Sequence, residues 1–250
     1  MRLGIDVSDC QGIIDWSKVR MAGVEFAILR STRGSGKPDK QLSVNIQGCR
    51  NNGIPIEFYK YLYAMTNSEA KKEALKVVEV LKQCGMEPSQ DMIIWADVEY
   101  NRLLALGKQA VWEIYDNFKE IIANSGYGYG LYMGKYAYEN QIDGSKIHDR
   151  LWLARYYAGH SRMAFGTMPD ESKKPVVAAG SASALTGWQF TSCGSVPGIS
   201  GNVDLDIRYT DDKNAANKSE YYQKPEFMLI ECLDKIGVDA TEPASGRKIV

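Results

Sequence analysis

Residues 3–16 read LGIDVSDCQGIIDW. A short apolar run from Leu3 to Val7 carries one carboxylate, Asp6, and gives way at once to turn-forming residues, the pattern of a buried strand. The residues just after that strand decide the fold. An open sheet built around a dinucleotide needs GxGxxG directly after its first strand, and the stretch after Val7 offers only Gly12. Working outward, VEFAILRST (24–32), IPIEFYKYLYA (54–64) and MIIWADVE (92–99) repeat the strand pattern. Between them lie the helical stretches DWSKVRMAG (15–23), LSVNIQGCRNNG (42–53) and SEAKKEALKVVEVLKQCG (68–85). The last places Ala70, Ala74, Leu75, Val78 and Leu81 on one face, with a start signal at Thr66 and Glu69 and a stop at Gly85. A further helix, KQAVWEIYDNFKEIIANSG (108–126), precedes YGLYMG (129–134). LWLARYY (151–157), GWQFTS (187–192) and NVDLDIRY (202–209) then read as strands with little helix between them. The expected architecture is α/β: a modified (β/α) barrel of about eight mostly parallel strands, with helices mainly in its first half. Residues 1–210 form the expected catalytic barrel. Residues 211–250 read as a linker-like segment with a short C-terminal helix in PEFMLIECLDKIG, where Phe227, Ile230, Cys232, Leu233 and Ile236 are ended by Gly237.

Composition narrows the function. The chain has 250 residues, 44% of them hydrophobic, enough for one sizeable core. Thirty Lys and Arg against thirty-one Asp and Glu leave no basic excess for a phosphate backbone, which excludes nucleic acid as the expected partner. Five scattered cysteines without a CxxC pair predict reduced thiols rather than a disulfide framework or a zinc site, and no metal or cofactor is expected. No stretch of about 18 apolar residues appears, so no membrane insertion is expected. The N-terminus enters a strand without a leader pattern, which predicts a protein that stays cytoplasmic until released, or a trimmed secreted form. GSGKPDK (34–40) lacks phosphate-loop spacing and reads as a mobile surface loop.

Barrels of this kind place chemistry at the C-terminal ends of their strands. There the sequence sets Asp6, Arg30 and Thr32, Tyr59, Tyr61 and Tyr63, Asp97 and Glu99, Tyr132, Trp152 and Tyr156, Trp188 and Gln189, and Asp204 and Asp206. Carboxylates ringed with aromatics, without a nearby His or phosphate loop, suit proton transfer to a leaving oxygen and stacking on a sugar ring. Asp97 and Glu99 stand two residues apart, roughly 6.5 Å along a strand and on the same face, so each influences the other's protonation. One is expected to stay charged and the other to hold its proton. The plainer reading of the pair is an ion pair with Arg30. Cys10 is a conceivable nucleophile, but His148 and His160 stand in no partner motif, and a small buried thiol is expected instead.

GIDVSDCQGIIDW, GVEFAILRSTRG, NGIPIEFYKYLYA, WADVE, LWLARY, WQFTS and GNVDLDI, in that order, resemble glycoside hydrolase family 25, lysozymes that act as N-acetylmuramidases. The resemblance runs from about Leu3 to Tyr209. It implies cleavage of the β-1,4 bond between N-acetylmuramic acid and N-acetylglucosamine, with bacterial peptidoglycan as partner and the protein acting as a monomer. By position, Glu99 resembles the general acid, Asp97 its partner assisting the 2-acetamido group, and Asp6 and Asp204 the flanking carboxylates. Tyr61, Trp152 and Tyr156 match sugar-subsite aromatics, and Tyr132, Trp188 and Arg30 complete the expected substrate-binding set. Cys10, Glu57 and Lys60 depart from the family's usual residues, which puts subsite preference in question. Two alternatives stay open. A chitinase-like hexosaminidase would carry DxxDxDxE, of which only the final DxE is present. A non-catalytic glycan-binding barrel would have lost the acid, and Glu99 is retained.

Overall fold

A computed structural model of the chain describes residues 1–177 and 185–209. In chain order its elements are β1 (Arg2–Val7), α1 (Trp16–Met21), β2 (Phe26–Arg30), α2 (Leu42–Asn51), β3 (Ile56–Tyr61), α3 (Asn67–Gln83), β4 (Ile93–Asp97), α4 (Asn101–Leu104), α5 (Lys108–Asn124), β5 (Gly128–Gly134), α6 (Lys135–Asn140), β6 (Arg150–Ala154), β7 (Met163–Ala164), β8 (Leu185–Ser195) and β9 (Val203–Arg208). Every strand and helix expected within the described residues is present. The helix expected over 225–237, and the division at residue 210, fall outside them.

Strands β1 to β6 pair side by side in parallel, and β6 pairs in parallel with β8. The last strand reverses direction: β9 runs antiparallel to both β8 and β1, and so closes the barrel. The two-residue β7 lies outside the ring, against the end of β8. Closure leaves no free strand edge among the eight barrel strands, which removes the unpaired backbone groups an open sheet exposes.

Alternation of side chains along each strand sorts the residues into two cores. Outward-facing Ile5, Val7, Leu29, Phe58, Ile94, Leu131 and Leu153 meet Val19, Ile46, Val77, Leu81, Phe118 and Ile122 of the helices. Inward-facing Phe26, Ile28, Ile93, Trp95, Tyr132 and Trp152 fill the barrel. Helix α3 is capped where expected: Glu69 N donates to Thr66 Oγ1 at 3.2 Å and Met65 N to Glu69 Oε2 at 2.8 Å. Past its end, Gly85 takes φ 65°, a left-handed backbone that suits glycine. Leu75 departs from expectation. It is 54% exposed, and Val77 takes its place on the buried face, because the helix presents 70, 74, 77, 78 and 81 to the sheet.

Room for the interior aromatics comes from glycines on neighbouring strands. A Cβ on Gly130 would lie 2.2 Å from Trp95 Cζ3, and one on Gly4 would lie 2.4 Å from Phe26 Cζ. Gly130→Ala is therefore expected to displace Trp95 and cost about 1–3 kcal/mol. A drop of several degrees in Tm, at roughly 2–4 °C per kcal/mol for a chain of this size, is the expected readout. An unchanged Tm would show that Trp95 has room to move.

Candidate active site

The C-terminal ends of the strands open into a cleft of about 570 Å³ lined by Asp6, Arg30, Thr32, Arg33, Gly34, Tyr59, Tyr61, Tyr63, Asp97, Glu99, Tyr132, Trp152, Tyr156, Gln189 and Asp204. Strand register explains the convergence. Tyr61 pairs with Asp97, Asp97 with Tyr132, Tyr132 with Trp152, and Trp152 with Gly187, so one level of the barrel brings these side chains to the same height. Across the closure, Asp6 of β1 pairs with Asp204 of β9.

Asp97 ends β4 and is buried, whereas Glu99, two residues on, stands in the mouth with access to solvent. Among the described residues Asp97 Oδ1 is buried and has no hydrogen-bond partner. Burial pushes the Asp97 carboxyl well above its ordinary range, the charge of Glu99 and then of Asp6 push the same way, and Lys60 opposes them. Partial withdrawal from water also raises Glu99. Both members of the pair thus hold protons more tightly than a free carboxyl. The deeper member feels the stronger upward push, and the charge of its neighbour is among the causes.

Asp6 and Asp206 form a second acidic pair lower in the barrel. Burial raises Asp6 most, followed by the charge of Asp206, while burial and the charge of Asp204 raise Asp206. Asp206 also accepts from Trp152 Nε1 at 2.8 Å. Asp204 is raised to about 9, by burial first and then by the charges of Asp6 and Glu99.

Arg30 and Lys60 are paired with carboxylates other than Asp97 and Glu99. Arg30 lines the cleft but does not pair with Asp97 or Glu99. Its guanidinium is held by Asp9 and by Asp39 Oδ2, the latter at 2.6 Å from Nη2 and 2.7 Å from Nε. Asp39 is buried and closes the 34–40 stretch, which is therefore a surface turn only at its tip: its far end anchors Arg30, and Gly34 lines the cleft. Lys60, 1% exposed, lies on the outer side of β3 and pairs with Glu73 of α3 at 3.0 Å.

The aromatics sort by strand parity. Tyr61, Tyr132, Trp152 and Tyr156 line the cleft as expected. Trp188 does not. It faces outward, fully buried against Tyr157 and Phe190 with ring centroids at 5.8 and 5.9 Å, and its Nε1 donates to Arg155 O. Its neighbour Gln189 points inward instead, because adjacent strand residues face opposite sides. Sequence reasoning places Tyr59, Tyr63 and Gln189 among the strand-end residues without a specific role and does not single out Arg33 of the loop after β2; all four line the cleft. Cys10 is exposed rather than buried, in the middle of a turn (Asp9–Gln11) capped by Ser8, and no disulfide joins the four described cysteines. No helix among the described residues is long and apolar enough to cross a membrane.

Comparison with known proteins bears on this geometry. The chain is 28% identical over 206 residues to the autolytic lysozyme of Clostridium acetobutylicum, covering 81% of this chain and 54% of that protein. It thus spans about half the length of that relative. Its fold matches the modular autolysin LytC from Streptococcus pneumoniae, solved in complex with a synthetic peptidoglycan ligand, with TM-score 0.67 and 25% identity over 83% of this chain and 46% of that one. It also matches the bacterial lysozyme from Streptomyces coelicolor with TM-score 0.67 and 23% identity, covering 87% of this chain and 98% of the other. The family model for glycosyl hydrolases family 25 matches residues 5–199, a span that runs from the strand bearing Asp6 through the WADVE acids to the end of β8, and the chain belongs to that family.

Proposed function

We propose that the protein is a peptidoglycan hydrolase that cleaves the β-1,4 bond between N-acetylmuramic acid and N-acetylglucosamine in the bacterial cell wall. Glu99 is the general acid and Asp97 holds the 2-acetamido group. The observation that carries this reading is the division of labour at the end of β4. Glu99 stands in the open mouth, where partial withdrawal from water raises its pKa and favours the protonated form that a general acid passes to a glycosidic oxygen. Asp97 sits below it with a buried, unpartnered oxygen, a position suited to accept the N–H of an acetamido group. Such a contact would return charge to Asp97, because a hydrogen bond to the carboxylate favours the ionised form. Tyr61, Tyr132, Trp152 and Tyr156 supply faces for sugar rings. Asp6 and Asp204 flank the pair, and Arg30 shapes the wall while its charge is spent on Asp9 and Asp39.

Asp97 and Glu99 stand at i and i+2, with Cα atoms roughly 6.5 Å apart where the chain stays extended, Asp97 buried and Glu99 at the mouth. Attack by the substrate's own acetamido oxygen, with Asp97 stabilising the positive charge that develops on it, accommodates that spacing. Such a route needs Glu99 protonated to release the leaving oxygen, an ionised Asp97 against the charged cyclised intermediate, and then the deprotonated Glu99 as base for the water that opens it.

Glu99→Gln should keep the fold and lower lysis of a wall suspension at least about a hundredfold, the scale for removing a positioned general acid. Lysis near the wild-type rate would reject Glu99. Proton NMR of a short glycan digest, read before mutarotation, should show the β anomer first. An initial α anomer would point to inversion with Asp6 or Asp204 as base. Stability should also record the acidic crowding. The folded protein binds the Asp204 proton more tightly than the unfolded chain, with a value of about 9 against an ordinary 3.8. That contribution is fully present below about pH 4 and is lost as pH rises toward 9. Asp204→Asn should therefore match the wild type in Tm near pH 4 and exceed it at pH 8; equal Tm values at both would show that the repulsion is absent.

A further inference from the structure

Gln189 lies on β8 opposite Ala154 of β6 on one side and Asp206 of β9 on the other, and is 3% exposed. Its Oε1 accepts two phenolic hydrogens, from Tyr132 at 2.8 Å and from Tyr156 at 2.5 Å. Its Nε2 donates to Asp6 Oδ2 at 2.7 Å. Two donors on one oxygen fix the amide so that its NH2 group faces Asp6. The amide is also the one member of this set without a titrating proton. Around Asp6 stand Tyr59 of β3, Asp97 and Glu99 at the end of β4, and Asp204 and Asp206 of β9, all acidic groups. Arg30 of β2 is held by Asp9 and Asp39. Gln189 thus gives Asp6 a neutral donor in a wall of acids. Through the same amide it joins Asp6 to Tyr156, which is 44% exposed at the rim where a sugar would rest.

We infer that Gln189 is a positioning residue for the glycosidase reaction, acting through Asp6: its amide nitrogen holds the Asp6 carboxyl beneath the Asp97–Glu99 pair, and its amide oxygen locks that arrangement to the rim phenols Tyr132 and Tyr156. The inference rests on the reading of the cleft as a glycosidase site, and it makes no use of contact between Gln189 and substrate. A histidine or a carboxyl in the same place would change its donor and acceptor sides with pH; an amide presents the same two sides throughout.

A double-mutant cycle separates action through Asp6 from a general structural role. Gln189→Leu keeps the size and removes both hydrogen-bonding sides; it should lower kcat at least about tenfold with little change in KM, as expected for displaced catalytic geometry. Asp6→Asn combined with Gln189→Leu should lose no more than Asp6→Asn alone. Losses that multiply would overturn the inference. Gln189→Glu, which preserves the acceptor for both phenols and replaces the donor by another acid, should be at least as impaired as Gln189→Leu and should shift the pH profile; wild-type behaviour would equally overturn it. A measurement without turnover covers variants that fold poorly. The side-chain 15N–1H signals of Gln189 in the ligand-free wild-type protein should move as the Asp6 carboxyl titrates, and should lose most of that movement in Asp6→Asn. Signals that ignore pH in the wild type would refute the contact even if hydrolysis is intact. If the signals titrate but the wild type releases no glycan, the glycosidase reading fails and the link between Gln189 and Asp6 stands.

Discussion

Strand parity in a closed barrel determines which residues share the interior, and here it places acids together. Asp6, Glu57, Asp97 and Asp206 are buried inside the ring with Asp204 half-buried above them. Arg208 is the one interior cation among the described residues, and it is used at the floor. Its guanidinium pairs with Glu57, and it lies over the rings of Trp95 at 4.8 Å and Phe26 at 5.3 Å, while Trp95 Nε1 donates to Glu57 at 2.7 Å. Losing one partner of such a pair strands a buried charge, at about 3–5 kcal/mol, so the floor has little freedom to change. With its cation spent below, the upper barrel is left with acids whose pKa values burial and mutual repulsion raise.

The surroundings preserve that state. Arg30 and Lys60 stand close enough to neutralise the cleft, yet each is tied to carboxylates outside it: Arg30 to Asp9 and Asp39, Lys60 to Glu73. These outer pairs fix the wall and the back of β3 without supplying full counter-charges to Asp97 or Glu99. Lys60 lowers Asp97 only as the fourth of the forces on it, behind burial, Glu99 and Asp6. Full counter-charges from Arg30 and Lys60 are thus withheld from the cleft acids, and Arg33 is the other cation that lines the cleft. The fold accepts the cost because the large apolar shell between strands and helices lies elsewhere.

Much of this is legible in the sequence because the signals are local. The strand runs, the caps at Thr66 and Gly85, and the DxE at the end of β4 each depend on neighbours in the chain. The features that escape a sequence reading depend on partners distant in the chain. Trp188 and Gln189 are adjacent, and only the pairing of β8 with β6 and β9 determines which faces in; register shifts along β8 hide that parity from a simple count. Asp39 sits inside a stretch that reads as surface, and becomes an anchor only when Arg30 and the backbone N–H of Asp9 are brought to it. Asp206 reads as one more strand-end acid until burial sets it against Asp6.

The departures from the family pattern find their explanation in the same long-range pairing. Glu57, Lys60 and Cys10 bear on sugar preference only if they stand at the site, and none of the three lines the cleft. Glu57 is the floor partner of Arg208, matched by a guanidinium that arrives from the last strand. Lys60 faces the helix layer and has its counter-charge in Glu73, about two turns into α3 from the cap. Cys10 is exposed on a turn outside the ring. Each unusual residue is answered by a structural partner or by solvent. Differences in sugar preference within this cleft must therefore come from residues that do line it, and Thr32, Arg33, Gly34, Tyr59, Tyr63 and Gln189 are the members of that wall to which the sequence assigns no specific role.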